Sequence, residues 1–403
     1  MKGKNKVFLI VLLGLLSAIG PFSIDMYLPA FPAIGAYFHT TVAHITLSLS
    51  SFFIGISAGQ FLYGPLLDRF GRKRPLYVGI AIYLLASAGC WLASSANALI
   101  VFRLFQALGA CVGIVGSRAM VRDLFPVSEN AKVFSMLMLV VGVSPIIAPT
   151  VGGYITSALG WKYIFVVLTA LATFILVAVH LALPETRPPN PQYSLKPGPI
   201  IGNFLAIIKT PQFYTYALAG SVASAGLYAY IAGSPYVFMN LFHVTEKQYG
   251  WIFAIIAVGL IGASQLNSLM LRTHSSEEII RIALTCQTIT GFLLILGTVT
   301  GVLALFSTIF LIFIFLCCQG FTFPNSAALS LSPFSHHAGS ASALMGGIQM
   351  SIGALSSATV GMLSNHTALP MTGVMGCCAL SSLLILRLGS RRIPKGDTLS
   401  PHL

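Results

Sequence analysis

The chain has 403 residues, of which 56% are hydrophobic and only 8% are charged. A soluble domain has about 25% charged residues, so this composition excludes an ordinary water-soluble protein. Each membrane-spanning helix needs about 20 mostly apolar residues, so the length allows about a dozen spans and leaves no room for a soluble enzyme domain.

Apolar segments bounded by charge, proline or glycine predict two sets of six helices. The first set is expected at 7–27, 44–65, 76–95, 98–120, 132–156 and 161–183. The second set is expected at 212–239, 247–270, 279–299, 302–324, 340–364 and 368–388. The predicted fold is therefore all-α and integral to the membrane, with an N-terminal bundle at 1–183, a proline-rich cytoplasmic linker at 184–211, a C-terminal bundle at 212–390 and a cytoplasmic tail at 391–403.

Basic residues predict the orientation, because Lys and Arg near span ends stay in the cytoplasm. With the amino terminus inside, Lys162 and Lys247 fall outside and Arg103 falls in a span, which leaves 19 of the 22 basic residues on the cytoplasmic side. Both termini are thus expected inside. The net charge of +13 then reflects topology and attraction to anionic membrane lipids, and we expect no nucleic-acid binding.

The connection between the second and third spans, residues 64–74, combines glycines, one aspartate and four basic residues. Glycine at both ends allows two helices to approach, and Asp68 can form charge-assisted hydrogen bonds with its neighbours. The alternative is a basic loop that only sets orientation, which would need neither the aspartate nor the glycines. The candidate gating residues are Gly64, Asp68, Arg69, Gly71, Arg72 and Lys73.

The fourth span contains Arg103, and the first contains Asp25, the only acidic residue within the core of any predicted span. An arginine within a span costs several kcal/mol unless it faces a cavity or partner, which makes Arg103 a functional candidate. Asp25 and Arg103 are expected at similar depth and could pair, so that Asp25 binds and releases protons. The alternatives are that Arg103 extends to the outer headgroups and that Asp25 caps a loop.

The fifth span carries Gly142, Pro145, Pro149, Gly152 and Gly153 on one helical face. Proline bends such a helix and glycine permits close packing against a partner helix. A generic kinked helix is the alternative interpretation.

Several of these segments resemble the major facilitator superfamily. Residues 64–74 match its G-x-x-x-D-R-x-G-R-[RK] signature, and residues 103–109 resemble its R-x-x-Q-G-x-G motif, with Ala107 in place of the first glycine. Residues 148–153 resemble the antiporter motif that ends in G-P-x-x-G-G, with Ala148 in place of a glycine. The segments 25–29, 118–123, 324–328 and 338–344 look like the Bcr/CflA (bicyclomycin/chloramphenicol resistance) branch of drug:proton antiporters.

This resemblance implies two six-helix bundles around a cavity that opens alternately to either side. It also implies export of small hydrophobic drugs in exchange for protons across a bacterial inner membrane, with no cofactor beyond the proton gradient. Asp25 and Arg103 would then carry proton coupling. The second half lacks its counterpart of the basic loop at 271–278, so coupling residues should concentrate in the first half. A monomer is the expected state.

Aromatic and amide side chains in the spans are the candidate substrate contacts, since they suit an apolar cavity with a few polar groups. They could equally be packing residues or an interfacial aromatic belt. No metal site is expected, because the cysteines lie in apolar segments. Export of a sugar, amino acid or other metabolite is the main alternative, and a membrane enzyme or receptor a distant one. The cavity candidates are Gln106, Tyr228, Tyr236, Gln319, Phe321 and Asn325.

Overall fold

A computed structural model describes residues 3–190, 197–334 and 338–393, and these ranges contain helices and no β-strand. Most of the predicted tail and residues 191–196 of the predicted linker lie outside the described residues. The α-helices are α1 (Gly3–Asp25), α2 (Phe31–Tyr37), α3 (Val42–Phe70), α4 (Lys73–Leu92), α5 (Ala96–Leu124), α6 (Val127–Leu159), α7 (Lys162–Ala182), α8 (Pro197–Ile208), α9 (Pro211–Pro235), α10 (Glu246–Met270), α11 (Ser276–Val299), α12 (Leu305–Leu331), α13 (Ala338–Met362) and α14 (Leu369–Gly389).

Eleven helical segments in the described part of the chain are long and apolar enough to cross a membrane. The predicted seventh span, at 212–239, corresponds to α9, a 25-residue helix that is not one of these eleven. Helix α9 packs against α12, α13 and α14, and most of its residues are buried. Because neighbouring helices cover it, its many small and polar residues need not contact lipid.

The first span is longer than predicted and runs from Lys6 to Tyr37. The predicted span ends at residue 27, before Pro29, but a short 3₁₀ turn at Leu28–Ala30 leads directly into α2. Proline is tolerated in the first turn of a helix, because the N–H that it lacks would have no partner there. Asp25 is therefore deeper in the span than predicted.

One further predicted boundary is wrong, and the predicted linker contains a helix that was not predicted. Helix α3 continues through Gly64 and Pro65 to Phe70, so the connection to α4 is a tight turn at Gly71, where φ is +82°. The predicted linker also contains a helix, α8, which begins at Pro197 and packs against α9 and α13. A proline-rich segment can thus begin a helix as well as interrupt one.

Helix packing divides the described helices into two sets that contact each other along two lines. Helices α1 and α3–α7 pack among themselves, as do α9–α14. Helix α3 lies against α13, and α6 lies against α10. The α3–α13 contact is rich in serine: Ser50 donates to Ser357 at 2.9 Å, and Ser57 donates to the Gly347 carbonyl oxygen at 3.0 Å. Small polar residues let the two backbones approach closely.

Candidate functional site

A cavity of about 200 Å³ lies between the two helix sets. Its walls are almost entirely apolar, and Asp25 is the one charged residue that lines it. The first set supplies Asp25 and Phe53, and the second supplies Tyr228, Tyr230 and Phe253. A cavity with apolar walls and very few polar groups is the usual form of a small-molecule site.

Asp25 reaches this cavity because α1 ends at that residue. Its side chain is only 5% exposed, and within the described residues it has no hydrogen bond or ion pair. Helix α6 supports the turn that follows, because a Cβ atom at Gly152 would collide with the Met26 carbonyl oxygen. Glycine at position 152 therefore allows α6 to hold Asp25 in place.

Arg103 is fully buried, so it does not extend to the outer headgroups. Its guanidinium donates to Gln106 Oε1 at 2.6 Å and to the Ser23 carbonyl oxygen at 3.0 Å. It also stacks on the rings of Phe52 and Tyr27, at 4.2 and 4.5 Å from their centroids. These hydrogen bonds and cation–π contacts provide partners for most of the guanidinium group, and none of them involves a carboxylate.

The expected ion pair between Asp25 and Arg103 is therefore wrong for this structure. Among the ion pairs of the described residues none joins the two side chains. Arg103 contacts the backbone two residues before Asp25, at Ser23, while the carboxylate faces the cavity. The direct contact of Arg103 with this part of α1 is therefore to the backbone and not to the Asp25 side chain.

Two buried polar networks lie behind the cavity walls, one in each set. In the first, Gln106 donates to Ser87 at 2.8 Å, which extends the contacts of Arg103 into α4. In the second, Gln319 donates to Ser224 at 2.7 Å and accepts from Gln287 at 3.3 Å. Such networks fix helices relative to one another when most of their members are paired.

Only one of the six predicted cavity residues, Tyr228, lines the cavity. Gln106 and Gln319 belong to the internal networks, and Asn325 donates to Asn267 at 2.6 Å within the second set. Tyr236 lines a separate small pocket, and Phe321 is not among the lining residues. Polarity identified side chains that need a partner in the membrane, but most of those partners are protein groups.

The turn between α3 and α4 is centred on Arg72, which is 3% exposed. Its guanidinium binds Asp68 at 2.9 Å and Asp123 at 2.8 Å, and Arg187 also reaches Asp68 at 3.4 Å. Burial lowers the pKa of Arg72, but its hydrogen bonds to Asp123 and Asp68 more than compensate, so the pKa is raised. Arg72 therefore stays charged, and the network joins α3, α4 and α5.

The segment after α7 adds residues that the sequence analysis missed. Glu185 accepts from the backbone N–H groups of Arg72 and Lys73, at 2.7 and 3.1 Å, and so caps the start of α4. Thr186 donates to Asp123 at 2.9 Å. Glu185 lies just after α7 and Asp123 lies in the last turn of α5. Acidic residues at span ends that are predicted to be cytoplasmic were the available signal. A cavity of about 380 Å³ lies beside this network.

Residues of the α6 motif contact three different partners. Pro145 lines the central cavity, and a Cβ atom at Gly153 would collide with the Glu246 carbonyl oxygen at the start of α10. A Cβ atom at Gly142 would lie 3.8 Å from Ile261, an ordinary contact. Steric need for glycine is therefore confined to positions 152 and 153, at the opposite end of α6 from the Arg72 network.

Comparison with known proteins agrees with this arrangement. The model of the Major Facilitator Superfamily matches residues 13–358. The chain is 32% identical to the MFS-type transporter YdgK of Bacillus subtilis (strain 168), over 97% of this chain and 98% of that protein. It is 30% identical to the bicyclomycin resistance protein homolog of Haemophilus influenzae (strain ATCC 51907 / DSM 11121 / KW20 / Rd), over 94% and 96% of the two chains.

A solved structure of a D-xylose-proton symporter has the same fold, with a TM-score of 0.74 and 16% identity over 98% of this chain and 100% of the other. The superfamily match covers most of the chain and both relatives align over nearly their full lengths. The chain belongs to the Major Facilitator Superfamily, and it is a membrane transporter of small molecules rather than an enzyme.

Proposed function

We propose that this transporter exports small, mainly apolar molecules from the bacterial cytoplasm in exchange for protons. The observation that carries the proposal is Asp25, a buried carboxylate without a protein partner among the described residues, at the wall of an apolar cavity between the two helix sets. A carboxylate in such a place can hold a proton or face a substrate. The bicyclomycin-resistance relative supports a drug-like cargo.

The proposed topology has twelve spans, with α9 as the seventh and both termini in the cytoplasm. A helix of 25 residues is about 38 Å long, sufficient for a hydrocarbon core of about 30 Å. The bundles at 1–183 and 212–390 would then move relative to each other in the inner membrane, as a monomer surrounded by lipid. A reporter enzyme that is active only in the cytoplasm should therefore be active when it is fused to the carboxyl terminus.

In the proposed cycle Asp25 takes a proton from the outside, substrate leaves, and the proton is released to the cytoplasm before the next substrate binds. One proton moving inward yields about 2.3 kcal/mol per 100 mV and about 1.4 kcal/mol per pH unit. At 100 mV and one pH unit the sum is about 3.7 kcal/mol, which can concentrate a neutral substrate several-hundred-fold.

The test uses purified protein in liposomes with an imposed pH gradient, and follows internal pH as lipophilic drugs are added. Asp25→Asn should abolish substrate-dependent proton movement, and Asp25→Glu should keep part of it. Glu278→Gln is the matched control, because that exposed carboxylate caps α11 and glutamine can form the same cap. Unchanged exchange in Asp25→Asn would refute the mechanism.

Export of a metabolite by the same fold is a distinct outcome of this test. It would appear as proton movement with sugars or amino acids but with none of the drugs. Susceptibility profiling of cells that lack or overproduce the protein separates the two cargoes independently.

A further inference from the structure

Tyr230 is a second buried polar residue of the central cavity, and it belongs to the opposite helix set from Asp25. Its side chain is 1% exposed, and its hydroxyl makes no hydrogen bond within the described residues. Ser234 lies near it, one turn along α9, but the Ser234 hydroxyl is hydrogen-bonded to Tyr249 at 2.8 Å. The Tyr230 ring stacks on Phe253 at 5.5 Å, which fixes its direction.

Two unpaired polar groups on the wall of one apolar cavity are unusual. More than about 90% of buried polar groups in proteins have a hydrogen-bond partner. Asp25 and Tyr230 both line the cavity. A carboxylate accepts hydrogen bonds, whereas a phenol can donate or accept. Together they offer complementary places for the polar end of a bound molecule.

We infer that Tyr230 is a substrate-binding residue which, together with Asp25, selects compact lipophilic molecules that carry a hydrogen-bond donor such as a hydroxyl, an amide N–H or a protonated amine. The donor binds Asp25, the Tyr230 hydroxyl binds the same polar group, and the apolar remainder fills the cavity beside Phe53. The cavity of about 200 Å³ is smaller than the roughly 300–1,000 Å³ of most drug sites, so compact molecules fit best. This inference rests on the proposed function.

A molecule held in this way touches both helix sets at once. Asp25 is on α1, which packs against α5, α6 and α7, whereas Tyr230 is on α9, which packs against α12, α13 and α14. Both hydrogen bonds therefore form only when the two sets are close together. A ligand shifts a conformational equilibrium by its difference in affinity for the two states, so such a substrate favours closure around itself.

The test compares binding of 1-naphthalenemethanol and its methyl ether, which lacks the donor, to purified detergent-solubilised protein by calorimetry. Wild-type protein should prefer the alcohol by about tenfold or more, because the ether leaves buried groups unpaired. Tyr230→Phe removes the hydroxyl that donates to the bound oxygen and keeps the ring on Phe253, so it should weaken binding of the alcohol by about threefold or more. Tyr216→Phe, a buried substitution on α9 away from the cavity, should keep the wild-type affinity for the alcohol.

The inference is overturned if Tyr230→Phe, eluting as a folded protein, binds the alcohol with wild-type affinity, if wild type binds both compounds equally, or if it binds neither. These outcomes are separate from those of the transport assay. Tight alcohol binding without proton exchange would remove the antiport proposal and leave this site intact. Proton exchange by a protein that does not prefer the alcohol would support antiport and would overturn the inference about Tyr230.

Discussion

Replacing Gly153 with alanine should hold the transporter open at the end of the cavity that is predicted to face outward. The added Cβ atom would collide with the Glu246 carbonyl oxygen, a backbone atom that cannot rotate away. Overpacking of this kind costs about 1–3 kcal/mol, and the cost applies only when α6 and α10 are in contact. The closed arrangement should therefore lose about 5- to 150-fold in population relative to the open one.

The assay measures access to the cavity from outside. In a cysteine-free background, Tyr228→Cys places a thiol on the cavity wall, and a membrane-impermeant maleimide reports how fast it is reached. Gly153→Ala should raise the labelling rate by about 5- to 150-fold and lower transport by a similar factor. Gly142→Ala is the matched control on the same helix, because its Cβ atom would meet Ile261 at 3.8 Å. Equal labelling and flux in the two variants would refute the steric argument.

Three further substitutions test the remaining contacts. Asp123→Asn should lower the thermal stability by more than Asp68→Asn, because the Asp123 side chain is 17% exposed and the Asp68 side chain is 31% exposed. Hydrogen bonds to charged groups contribute about 1.5–3 kcal/mol to stability. Equal melting temperatures of the two variants would contradict this ranking. Arg103→Lys should reduce both stability and transport, since lysine cannot form the fork to Gln106 and the Ser23 carbonyl; wild-type flux would show that charge alone is sufficient. Gln319→Leu should lower the melting temperature by leaving its partners unpaired while Asp25-dependent proton exchange persists, so loss of exchange at unchanged stability would count against a structural role.

The class of the protein and many of its helices follow from the sequence, because the membrane imposes one dominant rule. Backbone groups in lipid must pair within their own segment, so a long apolar stretch can only be a helix. The superfamily match confirmed the resemblance drawn from residues 64–74 and 148–153. Where a boundary was wrong, as at Pro29 and Pro65, proline occupied a helical position that its missing N–H permits or that neighbouring helices stabilise.

Asp25 and Arg103 were found from the sequence for the same reason: a charge within a span is costly and stands out. What the sequence could not decide was their partners. Besides Gln106, Arg103 contacts a backbone carbonyl and two aromatic rings, and nothing in the sequence indicated that these groups would be its partners. Polar side chains such as Gln319 likewise look the same whether they face a cavity or a neighbouring helix.

Tertiary structure alone brought Tyr230 to the cavity of Asp25, 205 positions away along the chain, and turned Gln106 and Asn325 away from it. A helical sequence fixes which residues share a face, but the neighbours of that face depend on how all the helices pack. The sequence therefore determined that this chain is a helical membrane protein with a costly charge in its first span, because lipid acts on each segment separately. The members of the cavity depended on contacts between segments, and those exist only in the folded bundle.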